Sequence, residues 1–207
     1  MLEKIHWFGQ SSILIEAGTT RVYIDPVSLK KEDKAGIILV THDHADHYSL
    51  ADINRLATDD TTVISPFAIR RVRGKHMLLP PGKGVTLNGI AIEAVPAYNV
   101  RKTQFHPKAS GYVGYIVTVE GQRIYHAGDT ERIPEMKRIA CDIALLPLGQ
   151  TFTMNSVDEA VLAALDVKAK IAIPIHFGLY EGSQKDAERF VGELTRKGVE
   201  SLVLRKE

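Results

Sequence analysis

The chain has 207 residues, the span of one large domain or two small ones. Its 26 lysines and arginines against 25 aspartates and glutamates leave a net charge of +1, which does not suggest a dedicated nucleic-acid binder, so any basic site must be local. Hydrophobic residues at 44% and charged ones at 25% exclude a disordered, collagen-like or membrane-embedded chain.

A single cysteine, Cys141, leaves no intrachain disulfide. The opening MLEKIHWFGQSS has no apolar segment of signal-peptide length, and no apolar run approaches the roughly 20 residues of a membrane span. A reducing cytoplasm is the expected compartment, with no membrane partner.

From the N-terminus, Lys4 to Phe8, Ser11 to Glu16 and Arg21 to Asp25 alternate β-rich runs with turn residues and predict antiparallel strands. Ile37 to Val40 is fully apolar and predicts a buried strand. After a polar loop, Leu50, Ile53, Leu56 and Ala57 recur at helical spacing, so a helix is expected over Tyr48 to Ala57, with Ser49 and Asp52 as its capping box. Thr61 to Ser65 is the next strand, and Pro66 suits the first position of a short helix through Arg73. His76, following the basic residues of that segment, reads as part of a solvated face. Short strands follow between Leu78 and Pro96, then a hairpin from Tyr112 to Tyr125 about Glu120-Gly121-Gln122.

In the last third, Ile143 to Leu146, Ile171 to Ile175 and Leu202 to Leu204 predict apolar strands separated by two helices. These begin at Ser156 with Glu159 and at Ser183 with Asp186, and Gly198 is placed to end the second. No linker or repeat interrupts the chain. Residues 1–207 are therefore expected as a single α/β domain of two stacked sheets with helices outside.

The chemistry concentrates in Thr41-His42-Asp43-His44-Ala45-Asp46-His47, on the loop leaving the buried strand. In an extended segment His42, His44 and Asp46 project to one side, and His47 turns to a neighbouring position. Imidazoles mixed with a carboxylate suit two adjacent divalent ions, zinc or manganese.

This THDHADH segment resembles the signature of the metallo-β-lactamase superfamily. Ile24-Asp25-Pro26 resembles the strand-end aspartate ahead of that signature, His126-Ala127-Gly128-Asp129-Thr130 the bridging-aspartate motif, and Pro174-Ile175-His176-Phe177 the final histidine motif. The opening Ile5-His6-Trp7-Phe8-Gly9-Gln10-Ser11-Ser12 is similar to the branch of ascorbate-6-phosphate lactonase and related hydrolases.

The resemblance implies a four-layer αββα sandwich of two mixed β-sheets flanked by helices. It also implies two metal ions: His42 and His44 on the first, Asp46, His47 and His176 on the second, Asp129 bridging both, with Asp46, His47 and Asp129 as the catalytic residues. His126 and Asp25 are expected to orient ligands from behind. One position departs from the pattern: where relatives place a third histidine for the first metal, this chain reads Ala97-Tyr98-Asn99. The nearest histidine, His106, lies in the loop Asn99 to Ser110, and either that loop folds back to supply it or the first metal is poorly held.

Such a centre hydrolyses an ester, lactone or phosphoester. Superfamily members that reduce oxygen at di-iron sites carry a glutamate where this chain has His44. Asn99, Arg101, Lys102 and Lys108 lie close in sequence to the site and point to a small anionic substrate. An RNase Z-like phosphodiesterase and a non-catalytic metal-binding protein are the alternative readings; nucleic acid is disfavoured by the net charge, and homo-oligomer formation is left open.

Overall fold

The computed structural model describes residues 1–30 and 33–207. Strands β1 (Ile5–Gly9), β2 (Ser12–Ala17) and β3 (Thr20–Ile24) form the expected antiparallel meander, with Ile5 opposite Ile15 and Ile13 opposite Ile24. Strands β4 (Ile37–Leu39), β5 (Thr62–Ser65) and β6 (Lys75–Leu78) extend this sheet in parallel, in spatial order β1-β2-β3-β4-β5-β6.

The second sheet comprises β7 (Gly84–Leu87), β8 (Ile90–Pro96), β9 (Val113–Val119), β10 (Gln122–His126), β11 (Ile143–Pro147), β12 (Ile171–Ile175) and β13 (Glu200–Ser201). Its neighbours follow chain order, antiparallel from β7 to β10 and parallel from β10 to β13.

Side-chain alternation explains the layering. In the first sheet Ile13, Ile15, Val22, Ile24, Ile37 and Leu39 face a core shared with the second sheet, whereas the interleaved Leu14, Tyr23 and Ile38 face a separate core closed by Ile53 and Leu56. Those two belong to helix α1 (Leu50–Leu56). Because both faces are covered, these strands are apolar throughout, as buried strands must be. Helices α2 (Val157–Asp166) and α3 (Gln184–Arg196) lie against β11 and β12 on the far side. The layers run helix, sheet, sheet, helices: an αββα sandwich.

Three helix starts read from the sequence form as expected: the hydroxyls of Ser49, Ser156 and Ser183 accept from the backbone N–H groups of Asp52, Glu159 and Asp186. Gly198, at φ 76°, follows the end of α3.

Two expectations fail. Pro66 to Arg73 is not a helix but a series of bends. Phe67, Ile69 and Val72 all turn into the α1-side core, Arg71 sits at φ 60°, and Asn54 of α1 bonds both the Arg71 carbonyl and the Arg73 N–H. A helix would need those backbone groups for itself. His76 accordingly lies on β6 and meets the Ser65 hydroxyl at 2.8 Å.

The last strand is Glu200–Ser201 alone, not Leu202 to Leu204. Those three residues pack on the shared core while the chain leaves the second sheet. Lys206 then pairs with Trp7 of β1, and the Glu207 N–H bonds the Trp7 carbonyl. The tail thus straps one sheet to the other. Among the described residues no helix is long and apolar enough to cross a membrane.

Candidate metal centre

The parallel pairing of β3 with β4 ends at Ile24 opposite Leu39, and just beyond it Asp25 and Thr41 come within hydrogen-bond reach. Asp25, at φ 48°, accepts from the Thr41 N–H at 2.8 Å and the Thr41 hydroxyl at 2.6 Å, and from Nδ1 of His47 at 2.7 Å. The last bond leaves the Nε2 lone pair of His47 directed inward. Since the Thr41 hydroxyl spends its proton on Asp25, its oxygen accepts from Nδ1 of His42 at 2.9 Å. The Nε2 of His42 is freed in the same way.

From His44 the segment is a turn rather than an extended run, because the N–H groups of His47 and Tyr48 bond the His44 carbonyl. Asp43 points elsewhere, accepting from the Tyr112 hydroxyl at 2.7 Å.

Asp129 follows β10 across Gly128, where φ is 64° and a side chain would strike the Val113 carbonyl. Its carboxylate is the hub. Nε2 of His47 lies 3.2 Å away, Nε2 of His176 3.2 Å, Nε2 of His106 3.4 Å and Nε2 of His42 3.9 Å. The loop after Asn99 therefore folds back: His106 is buried and groups with His42 and His44, while Asp46, His47 and His176 form a second group.

Asn99 itself is turned away. Its amide donates to the Phe152 carbonyl at 2.6 Å and the Lys102 carbonyl at 3.2 Å, and lies 3.3 Å from Nδ1 of His106.

Burial, with His47 nearby, holds His42 well below the usual imidazole range. Burial and His106 lower His44. Both are therefore neutral and able to donate a lone pair. For Asp46 burial opposes ionisation, but His176 and His47 outweigh it and bring the carboxyl down to about 2.

The Nε2 atoms of His42, His47 and His106 and the Oδ1 of Asp129 are buried without a hydrogen-bond partner. Unpaired buried polar atoms are costly, and four converging on one point form a donor set that fits divalent metal.

Other expected residues lie elsewhere. His126 does not touch a ligand: its ring takes the Gly128 N–H on Nδ1 and meets the Ser11 carbonyl at 2.9 Å on Nε2, bracing the turn before Asp129. Lys102 is committed to the Gln150 and Met154 carbonyls. Lys108 pairs with Glu135 at 2.8 Å and caps the Tyr98 ring. Arg101 is exposed. None of Asn99, Arg101, Lys102 or Lys108 lines the cavity of about 320 Å³ over the centre, whose walls are Phe105, Phe152 and Tyr180.

Two participants were not singled out as site residues by the sequence. Gln10 donates its amide to Asp46 at 2.9 Å, and the same nitrogen lies 2.8 Å from Nε2 of His176. Glu181 faces Nδ1 of His176 at 3.0 Å.

Residues 4–176 match the family model described as a beta-lactamase superfamily domain. The chain belongs to the metallo-β-lactamase superfamily. Within it, a UPF0173 metal-dependent hydrolase of Thermus thermophilus is 33% identical, covering 98% of this chain and 96% of that protein. One from Archaeoglobus fulgidus is also 33% identical, over 97% and 94%. A solved superfamily structure from Parabacteroides distasonis, designated a metal-dependent hydrolase, has a TM-score of 0.85 at 34% identity and covers 98% of this chain and 92% of its own. Igni18, a metallo hydrolase from Ignicoccus hospitalis, shares the fold with a TM-score of 0.80 at 22% identity, covering 98% and 94%.

Proposed function

We propose that this chain is a binuclear metal-dependent hydrolase acting on an ester, lactone or phosphoester of a small metabolite. His42, His44 and His106 would hold a first ion, zinc or manganese, and Asp46, His47 and His176 a second, with the Asp129 carboxylate in reach of both groups. The observation that carries this is the convergence of unpaired, buried Nε2 atoms on Asp129.

Divalent ions in such a pair supply a water whose pKa falls from about 15.7 toward 7, together with Lewis acidity toward a carbonyl or phosphoryl oxygen. The chain supplies the rest. Asp25 and Thr41 hold His47 and His42 in the tautomer that presents Nε2, and the Glu181 carboxylate faces Nδ1 of His176 at 3.0 Å. Asp46, partly exposed on the cavity floor and ionised, orients the attacking water by accepting its proton in a hydrogen bond, and the Gln10 amide holds Asp46. The water oxygen bonds to the carbonyl carbon or phosphorus, the bond to the leaving oxygen breaks, and the proton passes to that oxygen. Phe105, Phe152 and Tyr180 give the cavity aromatic walls that suit an apolar substrate group.

The opening segment through Gln10 supports placement near the ascorbate-6-phosphate lactonase branch. The grouping of His106 with His42 and His44 supports the catalytic reading over that of a non-catalytic metal-binding protein.

Metal-reconstituted protein, measured by elemental analysis and assayed with bis-4-nitrophenyl phosphate, 4-nitrophenyl acetate and a lactone panel, is expected to hold about two ions per chain and turn over at least one substrate class. Failure to retain metal after reconstitution refutes the proposal. One tightly held ion without turnover favours a binding protein.

A further inference from the structure

A second cavity, of about 720 Å³, adjoins the one over the centre. Both are lined by Ala45, Asp46 and Tyr180, so the two spaces meet at Asp46. The two spaces differ in chemistry. The first has aromatic walls and no cation; the second runs along the end of β1, over Gly9 and Gln10, to the C-terminal strap with Arg205 and Lys206.

Gly9 has φ 100°, and a Cβ there would lie 2.8 Å from Cε and 2.9 Å from Nζ of Lys206. The lysine stem therefore crosses the glycine and sets its ammonium one residue from Gln10, whose amide touches Asp46 and His176. Among the described residues neither Arg205 nor Lys206 has an ion-pair partner. The adjacent acid, Glu207, is engaged by His6 at 2.8 Å. Two uncommitted cations thus end a groove that begins at the centre.

Resting on the hydrolase reading above, we propose that the substrate is amphiphilic: its apolar group fills the aromatic cavity, its scissile bond lies over Asp129, and an anionic arm runs past Gly9 to Arg205 and Lys206. The anion recognition expected on the loop after Asn99 resides instead on the C-terminal strap. The shared chemistry is a terminal carboxylate or phosphate on a short apolar linker.

The test uses zinc-loaded protein and the fluorescence of Trp7, the single tryptophan of the chain and a wall of the groove. Probes are 6-phenylhexanoate, 6-phenylhexyl phosphate and 6-phenylhexan-1-ol. The anions are expected to bind about three- to tenfold more tightly than the alcohol, the scale of two partly solvated charge contacts, and salt near about 0.5 M should narrow the gap. Preference for one anion over the other identifies the arm.

In the double variant Arg205→Gln, Lys206→Met the gap should fall below about twofold with alcohol affinity unchanged; Met retains the stem over Gly9, and both positions are exposed. Equal binding of acid and alcohol overturns the proposal. So does a gap that survives in the double variant, which would place the anion on the metal.

Hydrolysis of mono-4-nitrophenyl adipate against 4-nitrophenyl hexanoate separates the two claims. Turnover without preference for the adipate keeps the hydrolase and removes the groove. Variant-sensitive anion binding without turnover of these esters or of any phosphodiester or lactone of the panel above keeps the groove and removes the hydrolase.

Discussion

Glu181 Oε1 lies 3.0 Å from Nδ1 of His176, and the same carboxyl accepts from the Thr153 hydroxyl and from the N–H groups of Thr151 and Phe152. Burial raises its pKa, but His176 and the Phe152 N–H outweigh this and hold it below the ordinary range. One side chain thus orients a candidate ligand and pins an aromatic wall. Glu181→Gln is expected to weaken the second metal by about 10- to 100-fold, the scale for partners behind a ligand, as measured by competition with a chelating dye. Gly149→Ala should reproduce the defect, because its Cβ would land on the Glu181 carboxyl. Unchanged metal affinity in both variants contradicts this role.

Asp129 is within 3.4 Å of three imidazoles. Asp129→Asn keeps the shape and removes the charge, so hydrolysis should be lost with at least one metal equivalent, while circular dichroism and the apolar core stay native. Retention of both metals with full turnover would show that this carboxylate is not the bridge.

His106→Ala should deplete the first metal and leave the second, read as metal stoichiometry together with residual turnover. Adding Asn99→His is not expected to restore it, since position 99 faces the Phe152 and Lys102 carbonyls rather than the centre. Lys102→Ala, which removes bonds to the Gln150 and Met154 carbonyls, should lower stability slightly and leave metal content alone. Full metal content in His106→Ala would leave the first ion on His42 and His44 with water.

His47 meets Asp25 on Nδ1 and Asp129 on Nε2. Burial disfavours its charged form, but the two carboxylates prevail and raise its pKa in the metal-free protein from 6.5 to about 10. A folded value above the unfolded one stabilises fully below pH 6.5, and that stability is lost as pH rises through about 10. Metal-free protein should therefore melt at a lower temperature at about pH 10 than at about pH 6.5, with a smaller decline when metal holds Nε2. Apparent metal affinity should rise with pH over the same window, because loading expels the proton. A metal-free Tm that increases across that window contradicts the assignment.

The His/Asp cluster of residues 42–47 was legible from the residues themselves, dense in ligand types just after the apolar run Ile37 to Val40, whereas Asp129 and His176 were legible only through the resemblance of their motifs to those of the superfamily. The layers were legible because β2 to β5 alternate between two cores, and both sets of residues are apolar. His106 could be named only as one of two options, since nothing local says where a loop of that length returns; the packing of His106 against His42 and His44 decides it. Glu181, Gln10 and the strap carrying Arg205 and Lys206 reach the centre from distant segments and carry no periodicity. The helix expected after Pro66 and the strand expected at Leu202 failed likewise, because Asn54 and the first sheet compete for those backbones across the fold. Strand ends are written in the local order of residues, whereas the partners behind the ligands and the walls of the cavities are set by contacts between segments far apart in the chain, which exist only after the two sheets have stacked.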